Sequence, residues 1–250
     1  MELQSIRHAT CLISYNGKKI LLDPMLSPAG TLDPVPDVPN PNKNPLVEIP
    51  ISMDEILKVD AVLLTHTHRD HFDNAALELL PKSLPVLCQP QDFESLSDKG
   101  FVNIYPIDKG LIFMGITFIR TDGNHGSGIL AIKMAPVSGF VLKCKNEPTL
   151  YLTGDTIWCA KVERALKIHT PDIILCFAGE ARFSAGGHIT LSKSDIEKIA
   201  RASGASKLVV VHMEAWNHCR LTRSELRKYL KDNKLDERVL VPENGEKIKF

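Results

Sequence analysis

The chain has 250 residues, of which 44% are hydrophobic and 24% charged, a composition typical of globular proteins that excludes a disordered, collagen-like or coiled-coil chain. Thirty basic residues balance thirty acidic ones, so no overall positive charge favours nucleic acid, and we expect no nucleic-acid partner. No apolar run approaches the ~20 residues that cross a bilayer, so we expect no membrane partner either.

Residues 2–23 predict paired strands with a hairpin turn at residues 16–17, where Asn precedes Gly. His8 is expected to pack on one of these strands. Residues 24–50 contain eight of the sixteen prolines and predict an extended loop. We interpret this loop as a lid in preference to a plain insertion, because strand-like sequence resumes on both sides. The S-x-x-E pattern at residues 52–55 is typical of a capping box that begins a short helix.

Strands and helices follow in mixed order from residue 60 onward. The strands are predicted over 61–64, 86–88, 102–105, 116–120, 129–133, 139–144, 149–153, 173–177 and 208–211. The helices are predicted over 74–80, 157–168, 192–202 and 222–231. Two sheets with helices on their outer faces satisfy this order, so the elements predict an α+β fold. Neither a repeat nor a linker divides the chain, and we expect one domain over residues 1–250.

The cysteines indicate a compartment. All six are scattered and none forms a C-x-x-C pair. A disulfide framework is not expected in a chain of this size, and a free cysteine in an apolar run behaves as a small hydrophobic residue. The first residues also lack the pattern of a signal peptide. We therefore expect a reducing, cytoplasmic location.

The segment T-H-T-H-R-D-H at residues 65–71 carries the strongest chemical signal. Three of the nine histidines and one aspartate lie within six residues, directly after a predicted buried strand. Imidazole combined with carboxylate suits Zn²⁺, Fe or Mn²⁺. His66 and His68 face the same way in an extended backbone, and after a turn Asp70 and His71 can serve a second ion. The alternative is a polar surface loop, which this density of histidine disfavours.

Three other predicted strand ends carry residues of the same ligand types. His125 lies in a Gly-rich loop, Asp155 follows the strand at 149–153, and His212 ends the strand at 208–211. Taken singly, each has a simpler explanation, as a histidine at the core edge or an aspartate that caps a helix. Together they supply the two histidines and one carboxylate that a two-metal site on residues 65–71 still needs.

In this order the motifs resemble the metallo-β-lactamase superfamily: H-T-H-R-D-H, a lone histidine in a Gly-rich loop, G-D-T, and a histidine at a strand end. The resemblance extends over nearly the whole chain and implies a four-layer αββα sandwich with its site at one edge of the two sheets. The segments R-H-A-T, L-D-P-M and G-H-I-T are most similar to one branch of that superfamily. This branch holds the L-ascorbate-6-phosphate lactonases and the N-acyl-phosphatidylethanolamine phospholipase D-like hydrolases.

The resemblance also implies the metal ligands. The first ion would be bound by His66, His68 and His125, the second by Asp70, His71 and His212, and both by Asp155. Asp23 would support the metal-binding loop from behind. Zinc β-lactamases have a cysteine at the place of Asp155, so hydrolysis of β-lactam antibiotics is not expected.

Other residues near the predicted site have open roles. His188 could reach the pocket and act in catalysis, or it could face solvent before the helix at 192–202. Arg69 and Arg182 could bind an anionic group of the substrate, although an arginine on a loop is usually solvated. His218 and its neighbour Trp216 could line the pocket, but a structural role is favoured for both.

The predicted function is that of a metal-dependent hydrolase with two divalent ions, Zn²⁺ as the first choice and Mn²⁺ or Fe as alternatives. Water activated between the ions would attack a small ester, lactone or phosphodiester. Asp155 would hold the ions, Asp70 would orient the water and accept its proton, and His188 would serve the leaving group. The loop at 24–50 would lie near the active site and select the substrate.

Two alternatives belong to other classes of protein. One is a non-catalytic metal-binding or sensor protein of the same fold, which would be expected to have lost a ligand. The other is an electron-transfer or oxygen-reducing centre, which would be expected to hold iron tightly. The only partner expected with any of these functions is a small molecule, although an exposed apolar sheet edge could join two copies into a homo-oligomer.

Overall fold

The computed structural model describes residues 1–250. Fourteen strands form two seven-stranded sheets that face each other, and helices cover the outer face of each sheet. The fold is therefore an α+β, four-layer αββα sandwich, as the sequence predicts. None of its helices is long and apolar enough to cross a membrane.

The first sheet contains β1 (Glu2–Arg7), β2 (Thr10–Tyr15), β3 (Lys18–Leu22), β4 (Ala61–Leu63), β5 (Val86–Cys88), β6 (Ile104–Pro106) and β14 (Lys247–Lys249). In space the order is β14-β1-β2-β3-β4-β5-β6. β3, β4, β5 and β6 run parallel to one another. Because parallel strands end at the same edge of a sheet, the loops after β3 and β4 lie together.

The second sheet contains β7 (Gly110–Phe113), β8 (Ile116–Asp122), β9 (Ser138–Lys143), β10 (Leu150–Leu152), β11 (Ile173–Phe177), β12 (Lys207–Val211) and β13 (Val239–Leu240). Their order in space is β13-β12-β11-β10-β9-β8-β7. β10, β11, β12 and β13 are parallel, and β9 is antiparallel to both β8 and β10. The loops after β8, β10, β11 and β12 therefore leave the sheet at one edge.

Apolar side chains fill the space between the layers. A cluster of 22 buried residues, including Leu22, Phe118 and Phe177, joins the two sheets. The helices α1 (Met53–Leu57), α2 (Asn74–Leu79) and α3 (Phe93–Asp98) pack on the outer face of the first sheet. The helices α5 (Ala160–His169), α6 (Lys193–Ala202) and α7 (Arg223–Asp232) pack on the second. Burial on three levels holds the strand ends, and the loops that leave them, in fixed positions.

Most of the predicted elements are confirmed, and the capping signals are accurate. The Ser52 side chain accepts a hydrogen bond from the Glu55 N–H at the start of α1, and Thr222 and Glu225 form a full capping box on α7. The strand predicted over 129–133 is wrong, because these residues form the short helix α4 (Ile129–Lys133). β9 already pairs with β8 and β10, so this segment has no free sheet edge beside it. The sequence patterns did not predict α3, β7, β13 or β14.

Candidate metal centre

The structure brings all seven predicted metal ligands to one edge of the two sheets. Their ligand atoms fall into groups in which every atom lies within 4.8 Å of the others. One group contains His66, His68 and His125, a second contains His8, Asp70, His71 and His212, and a third contains His66, His71 and Asp155. The first sheet supplies the loop after β4, and the second sheet supplies the loops after β8, β10 and β12.

Two local features of the backbone place these residues. Asp23, directly after β3, accepts hydrogen bonds from the backbone N–H and the hydroxyl of Thr65, both at 2.7 Å, and so holds the start of the metal-binding loop. Gly154 precedes Asp155 and has φ +62°. A Cβ at this glycine would collide with the carbonyl of Ser138, so the turn that directs Asp155 into the centre requires glycine.

Hydrogen bonds from behind fix the tautomers of three of the histidines. Nδ1 lies near an oxygen in each case: His71 with Asp23 Oδ2 at 2.9 Å, His125 with the Ile189 carbonyl at 2.8 Å, and His212 with the Ala178 carbonyl at 3.2 Å. These oxygens only accept hydrogen bonds, so Nδ1 carries the proton. Each neutral ring therefore turns the unshared electron pair of Nε2 toward the centre.

The donor set fits divalent metal ions. Nε2 of His66 lies 2.9 Å from Nδ1 of His68, and Nε2 of His71 lies 3.2 Å from Nε2 of His212. The buried carboxylate of Asp155 lies 3.3 Å from the last two nitrogens, and its Oδ1 accepts no hydrogen bond. Unshared pairs at these distances repel unless positive charge lies between them. Imidazole and carboxylate bind Zn²⁺ at about 2.0–2.2 Å, so ligand atoms at these separations are spaced as the ligands of one divalent cation would be.

The pKa values of Asp155 and His212 also indicate that positive charge is stabilised at this position. Burial alone would raise the pKa of Asp155, but His212, His71 and His125 hold it well below its usual range. Burial lowers the pKa of His212, yet Asp155 and Asp70 raise it to about 10. Protons and metal cations can both supply this charge, so we expect them to compete for the centre.

In the group of His66, His68 and His125, the pKa values of His66 and His125 shift in the other direction. Burial, together with neighbouring His71 and His68, holds the pKa of His66 well below its usual range. Burial also lowers the pKa of His125. Neutral imidazole is the form that binds metal, so these two ligands are ready to bind at neutral pH.

His8 is the residue that the sequence interpretation missed. It does not pack as an ordinary strand residue, since it lies in the turn between β1 and β2 with φ +57° and is fully buried beside Asp70 and His212. A single histidine in an R-H-A-T segment gives no spacing signal. Its sequence signal is limited to its place in the R-H-A-T segment, which resembles one branch of the superfamily.

A cavity of about 590 Å³ opens onto the centre. Its lining consists of Pro34, Val35, Pro36, His68, Arg69, Asp70, His125, Met134, Phe183, Ile189, Trp216 and His218. Three of the predicted ligands are in this lining, so the whole metal centre forms the floor of the cavity, and the walls are largely apolar. The Pro-rich loop contributes Pro34 to Pro36, so it lies beside the centre and forms one wall.

Two of the predicted substrate-binding residues line this cavity. The Arg69 guanidinium donates to the Pro34 carbonyl at 3.1 Å and lies 5.3 Å from the centre of the Trp216 ring. His218 has Nε2 at 3.8 Å from Oδ2 of Asp70, and burial lowers the pKa of His218 to about 4. His218 is therefore neutral at the pH of most cells.

The structure does not bring the other two residues to the cavity. His188 lies before α6, with Nε2 at 2.8 Å from Oδ2 of Asp195, and is not part of the cavity lining. Arg182 lies 3.6 Å from Glu180 and is likewise outside the lining. The roles that the sequence suggested for His188 and Arg182 stay predictions.

An αββα sandwich whose strand ends hold paired histidine and aspartate clusters defines the class of metallo-β-lactamase-like, metal-dependent enzymes. Residues 31–213 match the sequence profile of the beta-lactamase superfamily domain. The chain is also 38% identical over 254 residues to UPF0173 protein YddR of Bacillus subtilis (strain 168), with 100% of both chains covered. The chain therefore belongs to the metallo-β-lactamase superfamily and, within it, to the UPF0173 family of metal-dependent hydrolases.

Two solved structures are similar over the whole chain. An isothiocyanate hydrolase from Delia radicum gut bacteria has a TM-score of 0.96 and 35% identity, with 100% of this chain and 99% of that chain covered. A possible metal-dependent hydrolase from Veillonella parvula DSM 2008 has a TM-score of 0.97 and 35% identity, with the same coverage. These comparisons do not confirm the lactonase and phospholipase D-like branch that the short motifs resemble.

Proposed function

We propose that the protein hydrolyses a small, uncharged organic molecule at an electrophilic carbon, and that an organic isothiocyanate is the first substrate to test. The observation that carries the proposal is the cavity, which has a metal-binding floor and walls of proline, valine, methionine, phenylalanine, isoleucine and tryptophan. Such walls favour a compact apolar group attached to the reacting atom. The similar isothiocyanate hydrolase supports this choice.

Charge selection in the cavity supports an uncharged substrate. Arg69 is the one cationic side chain in the lining, and it is already engaged with Pro34 and Trp216. Apart from the metal-binding floor, the lining therefore offers no free cationic side chain to recognise the charged group of a phosphodiester or sugar phosphate. An uncharged ester or lactone fits the same walls and is the second substrate class, and a phosphodiester is the third.

We propose two divalent ions, with Zn²⁺ first and Mn²⁺ or Fe as alternatives. The first would be held by His66, His68 and His125, the second by Asp70, His71 and His212, and both by Asp155. When bound, such ions lower the pKa of water and polarise the electrophile.

The residues at the floor have separable tasks in this reaction. Asp70 lines the cavity, and its carboxylate can accept a proton from the attacking water. In an isothiocyanate the water oxygen bonds to the central carbon, the C=N π pair moves to nitrogen, and nitrogen takes a proton, which gives a thiocarbamic acid. His218 is neutral, and its Nε2 lies 3.8 Å from Oδ2 of Asp70. Its Nε2 can therefore carry the proton from Asp70 to the substrate nitrogen.

The test is a substrate panel with purified protein that has been stripped by a chelator and reloaded with Zn²⁺ or Mn²⁺. The panel contains an aryl isothiocyanate, a neutral lactone, a neutral ester and an aryl phosphodiester, and kcat/KM is measured for each. We expect the isothiocyanate to exceed the phosphodiester by at least about tenfold. A preference for the phosphodiester would overturn the proposal. Full metal uptake without turnover of any compound would favour the non-catalytic metal-binding alternative.

Arg69→Gln provides the matched variant for this panel. Because the guanidinium contacts protein groups, we expect kcat/KM to fall by a similar, small factor for neutral and anionic substrates, on the order of twofold. A loss confined to the phosphodiester would show that Arg69 recognises an anionic group, as one sequence interpretation holds.

A further inference from the structure

His8 joins the two sheets at the metal centre. Its carbonyl accepts a hydrogen bond from the backbone N–H of His212 at 2.9 Å, although His8 follows β1 of the first sheet and His212 follows β12 of the second. Both residues have a left-handed backbone, with φ +57° and +65°. A residue with a Cβ keeps such a conformation only where its surroundings determine it, and such sites cluster around function.

The His8 side chain makes one polar contact. Nε2 lies 3.3 Å from Oδ2 of Asp70, and Nδ1 is buried without a partner. A carboxylate only accepts, so the Nε2–H of His8 donates to Asp70. The same carboxylate oxygen lies 3.6 Å from Nε2 of His212 and 3.8 Å from Nε2 of His71, so His8 orients an oxygen that faces two further ligands.

Ring positions distinguish a metal ligand from a supporting residue. Two imidazoles that bind one tetrahedral ion have ring centres roughly 5 Å apart, since the metal–nitrogen bonds diverge. The rings of His71 and His212 are 5.1 Å apart, which fits this arrangement. The rings of His8 and His212 are only 3.6 Å apart, so His8 lies against the face of His212.

We propose that His8 is a positioning residue of the second metal site, which orients Asp70 through a donated hydrogen bond and His212 through ring contact. The inference rests on the two-ion centre of the proposed function. His8 belongs to none of the contacts around His66, His68 and His125, so its effect should be confined to the second ion. Outer partners of metal ligands change metal affinity by about 10–100-fold.

The experiment compares His8→Gln, which keeps an N–H donor, with His8→Met, which has similar length and no donor. Zn²⁺ is titrated into metal-free protein against a chromophoric chelator, and Co²⁺ loading is followed by visible absorption. We expect two binding events in the wild type. His8→Met should weaken the second by about 10–100-fold and leave the first unchanged, and His8→Gln should recover most of the loss.

His169→Gln, at the end of α5 and remote from the centre, is the control for loss of any histidine. Equal affinities in wild type and His8→Met would overturn the proposal, as would equal losses in the Gln and Met variants. A readout on the wild type removes dependence on folding of the variants. With Zn²⁺ bound, the Nε2–H signal of His8 should persist in ¹H–¹⁵N NMR spectra, whereas its loss would make His8 a direct ligand.

This test separates the inference from the proposed function. A wild-type protein that binds two ions and hydrolyses nothing in the panel would contradict the proposed function and leave the result on His8 interpretable. A wild-type protein that hydrolyses the panel with one bound ion would overturn the inference and leave the hydrolase proposal standing.

Discussion

The floor and the wall of the cavity are held by different kinds of contact. On the floor, three of the histidine ligands are fixed by hydrogen bonds from behind, as His71 is fixed by Asp23 and His125 by the Ile189 carbonyl. The wall formed by the Pro-rich loop depends on Asn217, whose side chain bonds to residues more than 170 positions away in the sequence. The histidine ligands and the Pro-rich loop are therefore held in place by separate sets of hydrogen bonds.

This separation has a structural basis in the loop after β12. His212 at its start contributes to the floor, and Trp216 and His218 further along line the cavity. Asn217 between them uses all of its hydrogen-bonding capacity on the loop at 24–50: Nδ2 donates to the Val35 and Asn40 carbonyls, and Oδ1 accepts from the Val35 N–H and the Asn44 Nδ2. A change at the wall can thus alter the substrate without moving a metal ligand.

The largest effect is expected from breaking the floor. Asp155→Ala removes the carboxylate that lies within 3.5 Å of His71, His125 and His212. We expect kcat/KM to fall by more than about 100-fold, since even an outer-shell partner is worth 10–100-fold, and bound metal to fall with it. Activity assays and metal analysis by atomic emission measure both. Asp122→Ala, at the exposed end of β8, is the matched control. Full activity in Asp155→Ala would remove the two-ion proposal.

An intermediate effect is expected from breaking the wall. Asn217→Ala leaves the Val35 N–H and two carbonyls without their partner, at a cost of about 1–3 kcal/mol, so Tm should fall by several degrees. KM should rise severalfold while bound metal and kcat stay near wild type. Thermal melts, metal analysis and steady-state kinetics test this together. Asn42→Ala, in the same loop, keeps the backbone N–H that donates to Oδ1 of Asn40 and should change none of them. If the bound metal falls while KM rises, the wall also supports the metal centre, and the separation of floor and wall is wrong.

The sequence predicted the floor better than the wall for a physical reason. Ligands at strand ends follow buried apolar runs, so the positions of Asp155 and His212 could be read from the strands that precede them. His8 and Asn217 act through contacts between distant segments, which no local pattern records. The same limit applies to α4: its apolar residues suggested a strand, but the pairing of β9 with β8 and β10 decides the outcome.

The smallest effect concerns His188, which lies outside both floor and wall. The hydrogen bond to Asp195 raises the pKa of His188 above its ordinary value of 6.5, and Asp195, despite burial that would raise its own pKa, is lowered from 3.8 to about 2 by His188 and Ser192. Because the pKa of His188 is raised in the folded state, its protonation stabilises the fold below pH 6.5. This stabilisation is lost as pH rises through the pKa of the folded state. Because the pKa of Asp195 is lowered in the folded state, its ionised carboxylate stabilises the fold above pH 3.8. This stabilisation is lost as pH falls toward 2.

The pair is therefore worth most between about pH 4 and 6.5. His188→Gln keeps a donor toward Asp195 but removes the charge, so it should lower the free energy of unfolding by about 0.5 kcal/mol at pH 5.5 and by less at pH 8.5. Urea unfolding at the two pH values measures the difference. A large loss of kcat with unchanged stability would instead support the sequence-based prediction that His188 acts in catalysis. The active site would then include a residue outside the lining of the cavity.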